Sequence, residues 1–73
     1  MSTEVKVMER MLLLYNEILE SNCRLLEKTT NAQRRKELQT AIKSWEGIVE
    51  HSKVELERNR KRRLLEFASE SAN

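Results

Sequence analysis

LQTAIKSWEGIVEHSKVEL, residues 38–56, is the stretch whose reading decides the fold. Its apolar residues Leu38, Ala41, Ile42, Trp45, Ile48, Val49 and Leu56 recur at spacings of three and four, the period of one face of an α-helix. A face of that kind needs a second helix to cover it.

Upstream the pattern breaks at Thr29-Thr30-Asn31. Thr30 followed by Gln33 matches a capping box, in which hydroxyl and amide satisfy the free backbone donors of a starting helix. Helix two is therefore expected over about 31–69. Before the break, Val5, Met8, Met11, Leu12, Tyr15, Ile18, Leu19, Leu25 and Leu26 form another stripe, giving a first helix over about 4–28. Ser2 or Thr3 suits its N-cap, and Glu4 and Lys28 lie where the helix dipole favours an acid and a base.

So short a connection makes the two helices antiparallel neighbours, and residues equidistant from about position 30 come level. Tyr15 is then expected beside Trp45, Leu12 near Ile48, Met11 near Val49, and Leu19 near Ala41 and Ile42. Tyr15 and Trp45 read as core anchors with their polar tips toward solvent, in preference to a ligand box. Asn22 falls in the stripe, where it either fixes register or reaches water near the turn. The expected fold is all-α: an antiparallel two-helix coiled-coil hairpin, completed into a helical bundle by self-association or by a partner chain.

Composition agrees. The chain has 73 residues, no proline, a single glycine (Gly47) and 36% charged residues, and every acid is Glu. A β-rich fold would need turn residues that are absent, whereas Leu, Glu, Lys, Arg and Gln favour helix. Cys23 is alone, so no disulfide can form within the chain, and a reducing compartment is the simpler expectation. The longest apolar run, Met11–Tyr15, is too short to span a bilayer, and the N-terminus lacks the pattern of a signal peptide. A cytoplasmic location is expected, with the nucleus as an alternative.

The first stripe is wider than one partner helix can cover. Val7, Leu14 and Leu25 extend it on one flank, Val5 and Cys23 on the other, and Leu13 lies nearly opposite Tyr15. On helix two, Thr40, Ser44, Gly47, His51 and Val54 form a second face of mostly small residues. Leu13, Leu14 and Gly47 are accordingly the candidate oligomer contacts, in a homodimeric four-helix bundle or an obligate complex with a different chain.

The net charge of +2 is unevenly placed: residues 1–28 hold 4 basic and 5 acidic groups, residues 29–57 hold 5 and 5, and residues 58–73 hold 5 and 2. Pairing by residue number exhausts helix one at about Leu56, which divides the chain into a hairpin, 1–57, and an overhanging helix end with a frayed polar tail, 58–73. The overhang carries Arg58, Arg60, Lys61, Arg62 and Arg63, followed by Leu64, Leu65 and Phe67. Three readings compete for it. It is a solvated charged end, a site for a protein partner that uses the apolar residues, or a basic patch for nucleic acid or an anionic membrane. A nuclear-import signal is compatible with the same basic run.

Catalysis finds no foothold in the sequence. There is no glycine-rich phosphate loop and no nucleophile with a matched base, His51 has no second histidine or cysteine at ligand spacing, and Glu46 and Glu50 lack a Glu-x-x-His partner motif. No cofactor, metal or enzymatic activity is expected. The hairpin resembles, in topology alone, small RNA-binding hairpin dimers, secretion chaperones and phage-encoded inhibitors, a likeness that does not fix function. The expected role is a small protein–protein interaction module. The alternatives are a nucleic-acid-binding regulator using the basic run and a structural subunit of a larger helical assembly.

Overall fold

A computed structural model of the chain describes residues 3–72. Two α-helices, α1 (Thr3–Lys28) and α2 (Ala32–Ala72), pack against each other as a hairpin. The described residues contain no strand. The molecule is a rod of 63 × 16 × 13 Å. Glu4 lies in the first turn of α1 and Lys28 in its last, as expected, with Thr3 as the first helical residue. The alternative cap, Ser2, and the last residue of the polar tail, Asn73, lie outside the described residues. The helix itself continues past Ser69 to Ala72.

The turn is closed differently from the expected capping box. Helical backbone begins at Ala32, so Asn31 holds the cap position: its Oδ1 accepts the backbone N–H of Arg34 at 3.0 Å, and its carbonyl accepts that of Arg35 at 2.9 Å. Gln33 is then the second helical residue, one short of the position from which a box residue reaches back, and its amide donates to Glu37 at 3.4 Å. The carbonyls left free at the end of α1 are met from two sides. Thr29 Oγ1 donates to the Leu25 carbonyl at 2.7 Å, and Arg35 Nη1 donates to the carbonyls of Leu26 and Thr29, each at 2.9 Å.

The seam alternates spacings of three and four on both helices, the heptad signature of a coiled coil. On α1 it runs through Val5, Met8, Leu12, Tyr15, Leu19, Asn22 and Leu26; on α2 through Leu38, Ile42, Trp45, Val49, Ser52, Leu56 and Asn59. The rings of Tyr15 and Trp45 meet with centroids 5.7 Å apart and planes tilted by 40°, the pairing expected from the turn. Among the described residues only Val49 and Leu56 are buried, each 5% exposed. Ile48, expected in the seam opposite Leu12, is 40% exposed and lies on its flank.

Asn22 is part-buried and bonds within its own helix. Its amide donates to the Ile18 carbonyl at 3.1 Å, one turn back on its own helix. Asn16 and Asn59 do the same to Leu12 and Glu55.

At the open end the paired region runs further than residue counting placed it. Arg60 bonds Glu9 at 2.8 Å and Arg63 bonds Glu4 at 3.2 Å, so the unpaired part of α2 begins after Arg63 and not at Glu57. Side chains on a helix lean toward its N-terminus. In an antiparallel pair the Glu on α1 therefore points away from the turn and the Arg on α2 points toward it, which closes an offset that the backbones leave open. Both pairs are about half exposed, and Arg63 Nε is buried without a partner, so this last layer binds weakly.

Candidate interaction surfaces

The hairpin presents two surfaces that its own contacts leave uncovered. The first is the end of α2. Leu64, Leu65 and Phe67 are 69, 72 and 70% exposed on a helix that has outrun its neighbour. They do not form one face. Leu64 and Phe67 are three residues apart and share a side, while Leu65 is turned from Leu64 by about 100° and from Phe67 by about 160°.

The basic run that precedes these residues is divided. Arg60 and Arg63 are drawn onto α1 by Glu9 and Glu4. Arg58 pairs with Glu55 at 3.1 Å and Arg62 donates to Asn59 Oδ1 at 2.7 Å, both within α2. Lys61 is exposed beside Arg58 and Lys53. The five basic groups therefore surround the helix and do not line one face of it.

The second surface lies along the hairpin. Val7, Met11, Leu14, Ile18, Ser21 and Leu25 repeat the spacing of four and three, forming another heptad stripe turned from the seam by about 100°. Val7, Met11, Leu14 and Leu25 remain 45–53% exposed. On α2 the flank carrying Ala41, Ser44, Ile48 and His51 lies on the same side. The shallow groove between the helices there is lined by Met8, Met11 and Tyr15 from α1 and by His51, Ser52 and Glu55 from α2. The sequence reading saw Val7, Leu14 and Leu25 as a widened flank. Only the alternation of their spacing marks them, with Met11 and Ile18, as a stripe of their own.

Of the candidate oligomer contacts, Leu14 belongs to this stripe. Leu13 is 65% exposed and stands apart, turned away from both stripes. Gly47 lies on the back of α2, and a Cβ built on it meets nothing within 4 Å. The structure thus does not bring Leu13, Leu14 and Gly47 together. Cys23 is exposed. Among the described residues no three His, Cys, Asp or Glu side chains are grouped to hold a metal ion, and no helix is long and apolar enough to cross a membrane. No protein-family model, curated protein or solved structure matches the chain.

Proposed function

We propose that the chain is a small non-enzymatic interaction module, a self-associating helical hairpin that offers the free end of α2 to a protein partner. The observation that carries this reading is the exposure of Leu64, Leu65 and Phe67, 69–72%, on a helix continuing beyond Arg63 with no neighbour from α1. Leu64 and Phe67, one turn apart on one side, suit a helix laid into an apolar groove, with Leu65 outside that contact. Lys61, Arg58 and Arg62 add positive charge around the contact and favour an acidic partner surface. The module works inside the cell, in cytoplasm or nucleus, where Cys23 stays reduced.

The alternative, a nucleic-acid-binding regulator, has less support because Arg60 and Arg63 already face carboxylates. The two readings separate in one experiment. Full-length chain, Leu64→Ala/Phe67→Ala and Arg58→Ala/Lys61→Ala/Arg62→Ala are each used to capture macromolecules from cells at low and high salt. Loss of the captured protein in the first variant, with little salt dependence, supports the module. Loss of captured nucleic acid in the second, with steep salt dependence, replaces it by the alternative.

A further inference from the structure

We infer that the partner met by Leu64 and Phe67 is a helix carrying carboxylates beside its apolar residues, and that Glu4 and Glu9 of α1 compete with those carboxylates for Arg60 and Arg63. The inference deepens the protein-partner reading above and rests on it: it names the chemistry of the partner and a contact inside the hairpin that restrains its binding.

The helical period puts the four residues of α2 on one face. Arg60, Arg63, Leu64 and Phe67 stand at i, i+3, i+4 and i+7, a sector about 100° wide. Arg58, Lys61, Arg62 and Leu65 point out of it. A helix docked there meets two exposed apolar side chains and two guanidiniums together. Arg63 also continues the seam spacing of Leu56 and Asn59, so this face carries on from the surface that α2 turns toward α1.

The hairpin itself shows what these guanidiniums accept from a neighbouring helix. Glu9 takes Arg60 Nη2 at 2.8 Å and Glu4 takes Arg63 Nη2 at 3.2 Å, both from a helix running antiparallel to α2. A second helix on the same face, beyond the start of α1, gains the same pairing if it presents acids next to the residues that cover Leu64 and Phe67. A phosphate backbone fits the face less well. Only two of the five basic groups of the run lie on it, and the apolar residues there give a phosphate nothing to bind.

The arginines are held loosely enough to change partners. Both pairs are about half exposed, where an ion pair contributes little. The contact with Glu4 is also incomplete, because Arg63 Nε is buried without a partner. Once the side chain leaves α1, a carboxylate set across Nε and Nη2 engages both donors, the stronger two-point arrangement. Glu4 and Glu9 thus act as built-in competitors: only the fraction of chains with the arginines released binds the partner at full strength.

Two fluorescent peptides, each held helical by a cross-link on its outer side, test this against the full chain. Both carry leucines at i and i+3; one has glutamates at i+4 and i+7, the order an antiparallel helix needs, and the other has glutamines there. Fluorescence anisotropy at low salt is expected to show the glutamate peptide bound more tightly. Glu4→Gln/Glu9→Gln should raise the affinity for that peptide about 2- to 30-fold, the worth of two exposed ion pairs, and leave the glutamine peptide unchanged. A gain of this kind cannot come from loss of folding. Arg60→Gln/Arg63→Gln should make the two peptides equal, and Leu64→Ala/Phe67→Ala should weaken both. Unchanged or weaker binding of the glutamate peptide by Glu4→Gln/Glu9→Gln overturns the competition. Peptides bound alike by the unaltered chain, or by no variant, overturn the acidic helix, while capture of a protein through Leu64 and Phe67 stands or falls on its own result. A DNA duplex that gains more than the glutamate peptide from Glu4→Gln/Glu9→Gln replaces the acidic helix with nucleic acid.

Discussion

Arg35 Nη1 donates to the carbonyl of Leu26 at 2.9 Å, so a side chain from the first turn of α2 caps the last turn of α1. The same nitrogen reaches the Thr29 carbonyl at 2.9 Å. Through this one group the start of α2 satisfies carbonyls at the end of α1. Arg35→Ala is expected to lower stability by about 1.5–3 kcal/mol, the range for hydrogen bonds to a charged group. Arg35→Lys should recover only part of the loss, because an ammonium lacks the planar reach of the guanidinium. Urea denaturation at one fixed protein concentration reads both variants; a change within error for Arg35→Ala would remove the cap from the account.

Trp45 is half-buried and meets Tyr15 across the seam. A fully buried Trp→Ala change costs about 3–5 kcal/mol, so the partial burial here predicts ~2–3 kcal/mol. Trp45→Phe, which keeps an aromatic partner for Tyr15, should cost less than half of that. Equal losses in the two variants would mean that the ring contact contributes little beyond area.

Truncation separates the hairpin from the free end of α2. A chain ending at Arg63 should melt within a degree or two of the full chain. Ending it at Glu57 removes the Arg60–Glu9 and Arg63–Glu4 pairs, each worth about 0.2–1 kcal/mol at this exposure, together with the packing of Asn59. The expected result is a clear drop in melting temperature for the shorter chain alone. Two chains that melt together would place the end of the paired region back at Leu56.

Gly47 sits inside α2 with open space around it. Gly47→Ala should therefore stabilise the chain by about 0.5–1 kcal/mol, through helix propensity and reduced freedom of the unfolded chain. The dimer should survive the change. Weakened self-association would instead mark the back of α2 as a contact surface.

The fold was legible because the two apolar stripes were read independently and then met at Tyr15 and Trp45. Periodicity sees faces, so it also contained the second stripe. Its members adjoin the seam, however, and merged with it until the spacing of Val7, Met11, Leu14 and Ile18 was taken separately. Two features left no periodic trace. Asn31 displaced Thr30 as the cap through a one-residue difference in where helical backbone begins. Arg35 acts on a carbonyl nine residues back, a contact that no spacing rule on one helix encodes. The length of the overhang was misjudged because counting residues ignores the reach of Arg60 and Arg63. The candidate end residues Leu64, Leu65 and Phe67 lie beyond that reach, and the structure leaves them exposed.

The closed turn also sets an order of events in time. Arg35 and Leu26 are nine residues apart in the chain, whereas Arg60 and Glu9 are 51 apart and Arg63 and Glu4 are 59 apart. Because the entropy of closing a loop rises with its length, folding starts at Asn31 and Arg35 and zips outward, and opening runs in reverse. Amide protons near Val5 and Glu9 should exchange before those near Leu19. The end that opens first is the end that carries Leu64 and Phe67, so a partner gripping α2 there and bridging to α1 would slow the unzipping of the whole rod.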